Sequence, residues 1–308
     1  MTPEFAVTLI VAIVASATPI LIAALGELVV EKSGVLNLGV EGMMLIGAVT
    51  AFIVAVTTGV PALGAVAAMV AAAAASLIFG YLTLTLTANQ VATGLALTIF
   101  GTGVSALVGA DYVGMTIPAF GSVFPDALAN DPIWRVLFGY SPLVYASLAL
   151  TFGIGWFLKY SRAGLVLRAV GESDTSAHSI GYPVLKVRYF AVLFGGAMAG
   201  LGGSYFSLVL TPMWAERLTS GRGWIAIALV VFAAWQPNRL LLGAYLFGAV
   251  ITLELQAKAA GWSGLAPEFL TSLPYIATIL VLALISARKT SAKNAAPACL
   301  GKPFRATA

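Results

Sequence analysis

The chain has 308 residues, of which 60% are hydrophobic and 9% charged, and its mean hydropathy is +0.99. Soluble domains carry about a quarter charged residues, so the composition excludes a soluble fold and points to a polytopic membrane protein. The net charge of +4 is read as a cytoplasmic-side bias, with no nucleic-acid partner expected. The single cysteine, Cys299, excludes an internal disulfide and a cysteine-based metal cluster.

The first apolar run, Phe5 to Leu25, is uncharged and long enough to cross a bilayer at about 1.5 Å per residue. No base precedes Lys32, so the run lacks the basic start of a secretory signal peptide and is read as a retained span. Next comes ELVVEKSGVLNLGVEGMM, which sets Glu27, Glu31, Lys32 and Glu41 between apolar stretches. A charge at bilayer depth costs at least about 2.5 kcal/mol, so Glu41 is expected to face a cavity or a partner. Asn37 lies four residues earlier. On a helix the two share a face, placing an amide beside an acceptor-only carboxylate, a pair suited to ribose hydroxyls or a base edge. Gly34, Gly39 and Gly42 permit the irregular backbone of broken transporter helices. The alternative is structural: Glu41 satisfies freed backbone groups or pairs with Lys32.

Further apolar runs occupy Leu38–Val56, Leu63–Gly80, Leu82–Gly109, Leu143–Leu158, Tyr189–Leu210, Trp224–Trp235, Leu240–Leu255 and Pro274–Ser286. They predict an all-α fold with about eight to ten transmembrane helices. Leu82–Gly109 exceeds one span and holds Asn89 and Gln90, while Trp224–Trp235 is too short to cross alone; broken or re-entrant helices are expected at both. Asn89 and Gln90 are candidates for a substrate path or for polar contacts between helices. The polar stretch Ala110–Ser141, with Asp111, Asp126 and Asp131 against Arg135 alone, reads as an outer loop. Gly196 and Gly200, with Gly195, Gly202 and Gly203, offer a face for close helix packing. Trp214, Trp224, Trp235 and Trp262 lie near run ends and read as interfacial anchors, with Trp214 or Trp224 able instead to stack a nucleobase near the outer entrance.

Threading the runs with the amino terminus outside puts Lys32, Lys159, Arg162, Arg168, Lys186, Arg188, Arg239, Arg288, Lys289, Lys293, Lys302 and Arg305 inside, and Arg135, Arg217, Arg222 and Lys258 outside. This bias makes residues 159–188 a cytoplasmic loop and residues 287–308 a cytoplasmic basic tail, beside a membrane domain of residues 1–286. Within KYSRAGLVLRAVGESDTSAHSIGYPVLKVR, Ser173 or Asp174 can cap a short helix, Ala177 and Ile180 share a face, Gly181 suits its end and Pro183 stops it. Such a loop is either an ordinary connection or a rigid docking element for an external motor. No G-x-x-x-x-G-K-[ST] is present, and the one Gly-Lys pair, Gly301–Lys302, runs into Pro303, so any ATP is hydrolysed by another subunit. His178 is the only histidine; no catalytic residue and no metal site are expected.

The blocks ATPILIAALGELVVEKSGVLNLGVEGMMLIGA, GLVLRAVGESDTSAHSIGY, RYFAVLFGGAMAGLGGSYFSL and GWIAIALVVFAAWQPNRLLLGAYLFG together resemble bacterial ABC importer permeases. Specifically, they are similar to the branched-chain amino acid and simple-sugar permease family, and most like the shorter permease of nucleoside importers. The resemblance covers about residues 15 to 286. Its ATPase-coupling pattern falls on Gly164, Arg168, Ala169, Gly171, Glu172, Ala177 and Gly181, although Ser173–Asp174 stands where Asn-Pro is usual and Ser176 and Tyr182 replace alanine and isoleucine. It implies a multi-pass protein of the bacterial inner membrane that binds no cofactor itself. The implied partners are cytoplasmic ABC ATPase subunits using ATP and Mg, a second paralogous permease, an extracytoplasmic substrate-binding lipoprotein and the lipid bilayer. Nucleosides are the first expected solute, then simple sugars such as ribose, then branched-chain amino acids. An ion-coupled secondary transporter is the rival class, with Glu41 and Glu254 as its only candidate relays.

Overall fold

The computed structural model describes residues 3–129, 131, 133–259 and 296–305, with isolated helical positions at 272, 276, 279 and 283. The run Pro274–Ser286 as a unit, Trp262 and the bases Arg288, Lys289 and Lys293 lie outside the described residues. Helix α1 is Pro3–Lys32, α2 Val40–Thr58, α3 Pro61–Gly80 and α4 Gln90–Gly109. Two one-turn helices, α5 (Asp126–Ala129) and α6 (Arg135–Phe138), sit in the polar loop. Then come α7 (Pro142–Tyr160), α8 (Arg162–Glu172), α9 (Asp174–Ser179), α10 (Val184–Tyr205), α11 (Arg222–Phe232) and α12 (Pro237–Ala259). Single π turns, Tyr81–Thr85 and Phe206–Leu210, prolong α3 and α10. The fold is all-α and polytopic: among the described residues seven helices are long and apolar enough to cross a membrane. The break expected within Leu82–Gly109 falls at residues 86–89, and the short run near Trp224 is the eleven-residue α11.

Helix α2 is the axis. It is wrapped by α3, α4, α10 and α11, and 72% of its apolar window is buried against 22% for α4. Burial on all sides demands backbone approach on several sides, which only missing side chains allow. A Cβ on Gly47 would lie 2.5 Å from Gly200 Cα, and one on Gly101 would lie 2.5 Å from Gly42 O. The α10 glycines form the expected packing face, with Gly196 against Ala72 and Ser76 of α3, Gly200 against α2 and α3, and Gly203 against Met44.

Helix directions follow from the same contacts. Gly26 of α1 meets Gly195 and Met198 of α10, while Pro19 and Ala23 meet Gly202, so the two run antiparallel. At one end Arg188 of α10 reaches the carbonyl of Ser33 and the carboxylate of Asp174, beside α8 and α9. At the other end Val113 and Thr116 pair with Trp214 and Met213, and Phe120 N donates to Leu208 O at 2.8 Å. The base distribution of the sequence leads to the expectation that the first end is the cytoplasmic one.

Two outcomes are expected. Gly47→Val overpacks the α2–α10 crossing and should lower stability by roughly 1–3 kcal/mol or more, whereas Gly153→Ala, which meets nothing within 4 Å, should leave the melting temperature of the purified protein unchanged. With Cys299 replaced by serine, a cysteine at Thr116 should react with an impermeant thiol reagent in intact cells and one at Ser176 should not.

Candidate translocation and coupling sites

The chain does not run from α1 straight into α2. It turns at Ser33 and Gly34 (φ 89) and reaches Val40 through five non-helical residues. A Cβ on Gly94 would touch Leu38 N at 2.6 Å, and one on Gly42 would touch Thr98 Cα at 2.7 Å. Leu38 and Gly42 are thus level with residues four and eight positions into α4, so α2, starting between them at Val40, begins about 9 Å deeper than α4. Backbone in that position has no water to bond and needs protein partners. Leu36 N donates to Gln90 Oε1 (2.8 Å), Asn37 N to Glu27 Oε1 (3.1 Å) and Gly39 N to Asn37 Oδ1 (2.8 Å), while Thr98 Oγ1 donates to Leu38 O (2.9 Å).

A second break mirrors the first. After α10 the chain turns back through residues 211–221, with Arg217 and Ser220 at φ 55 and 48, and enters α11 at Arg222. Glu41 receives it: Oε1 accepts from Thr219 Oγ1 (2.5 Å) and Gly221 N (2.8 Å), and Oε2 accepts from Gly223 N (2.6 Å). A carboxylate there meets both the orphan amides and the positive end of the helix dipole. A Cβ on Gly223 would sit 2.6 Å from Glu41 Cα, so the approach requires glycine. The far end of α11 is held by another acid: Trp235, at φ 55, donates its indole N–H to Glu31 Oε2 at 2.5 Å.

These positions revise several expectations. Asn37 and Glu41 do not share a helical face, because α2 starts at Val40 and Asn37 bonds within its own turn. Glu41 serves the freed backbone of α11 and not Lys32. Trp214 and Trp235 are not interfacial anchors: Trp214 is 1% exposed among Leu45, Ala48, Val49 and Phe52, and Trp235 is buried by its bond to Glu31. Trp224 is exposed on α11. Asn89 is exposed and caps α4 by accepting from Ala92 N (3.0 Å), whereas Gln90 is buried. Glu254 pairs with Lys258 at 2.7 Å on α12. The structure therefore gathers Asn37, Glu41 and Gln90 into the hydrogen bonds at the breaks, leaves Asn89 and Trp224 exposed beside Gln90 and Gly223, and buries Trp214 in a separate apolar cluster. Glu27, Glu31 and Thr219 complete the arrangement, and the two acids were visible in sequence as charges in an apolar helix.

The basic loop, residues 159–188, forms two helices where the punctuation suggested one. Ser161 Oγ accepts from Gly164 N (2.9 Å) to start α8, and Ser173 Oγ accepts from Ser176 N (3.3 Å) to start α9. Gly164 packs on the Phe157 carbonyl and Gly171 on that of Lys32, with no room for a Cβ at either. Arg168, Ala169 and Glu172 lie on the exposed side of α8. Ala177 is buried, but Ile180 is 73% exposed: α9 stops at Ser179, so the shared face does not continue, and Gly181 turns the chain at φ 92. His178 meets the ring of Phe304 edge-on at 5.5 Å.

Residues 9–286 match the family described as "Branched-chain amino acid transport system / permease component". The chain is 39% identical to a putative glucose ABC transporter permease of Haloferax volcanii over 96% of its length and 97% of that protein. It is 31% identical to the guanosine ABC transporter permease NupQ of Bacillus subtilis, covering 93% and 94% of the two chains. A nucleoside ABC transporter permease of Lactococcus lactis is 27% identical, with 90% and 91% covered.

Removing the α11 acceptor should be costly. Glu41→Ala strands two buried amides and a hydroxyl, and a loss of about 1–3 kcal/mol per orphaned group is expected, measured as a fall in the melting temperature of the detergent-purified protein. Thr219→Val removes one of the three bonds and should cost correspondingly less.

Proposed function

The chain belongs to the branched-chain amino acid transport system permease family, and from that premise we propose that it lines the path of an importer for nucleosides and transmits force from a cytoplasmic ATPase. It is an ABC transporter permease subunit of the plasma membrane, multi-pass, and not an enzyme. Its partners include an ATPase and a substrate-binding protein. In the proposed assembly the binding protein is an extracytoplasmic lipoprotein, a longer paralogous permease completes a heterodimer, and ATP and Mg are used only by the ATPase subunits.

One observation carries the coupling role. Residues 162–181 present a rigid, doubly capped element whose exposed face offers Arg168, Glu172 and the 73% exposed Ile180, while its inner face is fixed on Phe157 O and Lys32 O through glycines. A polar rim around a projecting apolar side chain suits a groove in a partner subunit. ATP-driven approach of the motors displaces this element as a body, and Gly171 passes the displacement to the end of α1 and the segment leading to Glu41. The domain division follows: a membrane domain of residues 1–286, its coupling loop at 159–188, and a tail from 287. Asn89 and Trp224, both exposed, are the proposed solute contacts, and Asn37, Glu41, Gln90 and Trp214 frame the path.

Nucleosides are supported by the guanosine and nucleoside permeases among the relatives. A hexose is the second reading, supported by the 39% identical putative glucose permease. In vesicles holding the complete transporter, labelled guanosine should accumulate with ATP and excess glucose should leave that uptake intact. Trp224→Ala should weaken apparent affinity by roughly tenfold if the indole stacks a base, in line with about 1–3 kcal/mol per stacked base. Accumulation of glucose and not of guanosine would assign the hexose reading instead.

A further inference from the structure

Arg188, at the cytoplasmic start of α10, is fully buried, and its guanidinium is divided among three separate parts of the chain. Nε donates to Ser33 O (3.1 Å), Nη2 to Asp174 Oδ2 (3.0 Å) and Nη1 to Lys302 O (3.4 Å). Asp174 is the first residue of α9, Ser33 opens the segment that leads to Glu41, and Lys302 belongs to the carboxy-terminal tail. The tail repeats the connection independently of Arg188. Cys299 N donates to Gly171 O (2.9 Å) at the end of α8, and Gly301 N donates to Gly34 O (3.1 Å). Phe304 packs against Val170 of α8, Ala177 of α9 and Val184 of α10. At Gly34 a Cβ would lie 2.9 Å from Arg188 Nη2, so the guanidinium uses the space that a side chain would take.

We propose that Arg188 and tail residues 297–305 form a transmission joint that ties the docking helix α9 to the broken segment before α2. Resting on the docking role given above to α8 and α9, this makes Arg188 a positioning residue for transport and the tail a working part of the coupling machinery. The guanidinium is a planar fork whose donors have fixed mutual geometry. With two donors on α9 and Ser33 and a third on the tail, α9 cannot shift without carrying Ser33 or breaking a buried ion pair. The tail lies over this contact, closes the backbone carbonyls of Gly34 and Gly171, and excludes water from the pair. Its small residues suit that place: Gly301, at φ 73, turns the chain between Cys299 and Phe304.

The test uses the complete transporter in liposomes, measuring solute moved per ATP hydrolysed alongside co-purification of the ATPase. Truncation after Ala295 and the double variant Arg188→Gln/Asp174→Asn, which removes both charges together, should keep the ATPase bound. Both should reduce solute moved per ATP by about fivefold, the scale expected for residues along a coupling route. Arg188→Lys, which keeps the charge without the fork, should fall between them and the native protein. An unchanged ratio in both the truncation and the double variant would overturn the joint. So would loss of assembly in both, because the contact would then be structural only. A cross-link from Thr175→Cys to the ATPase tests docking separately: its absence defeats the docking role, whereas its presence with an unchanged ratio defeats only the joint.

Discussion

Hydrocarbon offers no hydrogen bonds, so a chain that stops being helical inside a bilayer must carry its own acceptors and donors. Three carboxylates from one fifteen-residue block meet that demand here: Glu27 takes the Asn37 amide, Glu41 takes the Gly221 and Gly223 amides with the Thr219 hydroxyl, and Glu31 takes the Trp235 indole. Bonds to a charged group contribute about 1.5–3 kcal/mol each, while an unsatisfied group in lipid costs several. At Glu41 three such bonds offset the insertion penalty of the acid, which is how a carboxylate is held between strongly apolar helices. Without these acceptors, neither a helix that begins at depth nor an eleven-residue half-helix could be stable.

The rest of the architecture is arranged around that solution. Because α2 starts deep and is enclosed, its flanks must accept α10 and α4 at backbone distance, and glycines at 42, 47, 101 and 200 make this possible. Glu41 then ties the start of α2 to the segment before α11, bonding Thr219 and Gly221 178 and 180 residues further on in sequence. Neither can rearrange alone, since shifting the start of α2 pulls the start of α11. Paired broken helices that move together at membrane depth are a means of switching access without disturbing the surrounding scaffold.

Sequence and structure agree where the signal is local or compositional. Apolar run lengths located the spanning helices, Leu82–Gly109 was too long to be one helix, and Ser173 with Gly181 marked the limits of α9. What failed depended on contacts between distant residues. Leu36, Leu38 and Val40 are compatible with an early start to α2, but Gln90, fifty-four residues on, takes the Leu36 amide, Glu27, ten residues back, takes the Asn37 amide, and Asn37 itself takes that of Gly39, which keeps this stretch out of the helix. Trp214 and Trp235 stand at run ends, as interfacial anchors do, yet each is enclosed by a neighbour that proximity in sequence does not reveal. Ile180 fits the spacing of a buried face, but the helix ends one residue before it. The tail reads in sequence only as a basic stretch, whereas its donors find carbonyls 128 and 267 residues away, at Gly171 and Gly34.

The same use of charge bears on the solute. A branched-chain amino acid brings an ammonium and a carboxylate, and desolvating both requires opposite charges held ready in the path. Glu41 has three hydrogen bonds committed to the α11 start, Glu254 is paired with Lys258, and Arg222 donates to Thr219 O at 3.4 Å and lies over the Phe206 ring at 5.0 Å. Among the described residues, these ionisable side chains are thus employed in holding the protein together. Neutral solutes recognised by hydroxyls, amides and an aromatic face make smaller demands. Asn89 and Trp224 are exposed beside the two breaks, one an amide with both donors and an acceptor and the other an indole. As the proposed solute contacts, these two side chains suit neutral hydroxyl-bearing solutes, nucleosides and hexoses, better than a zwitterion.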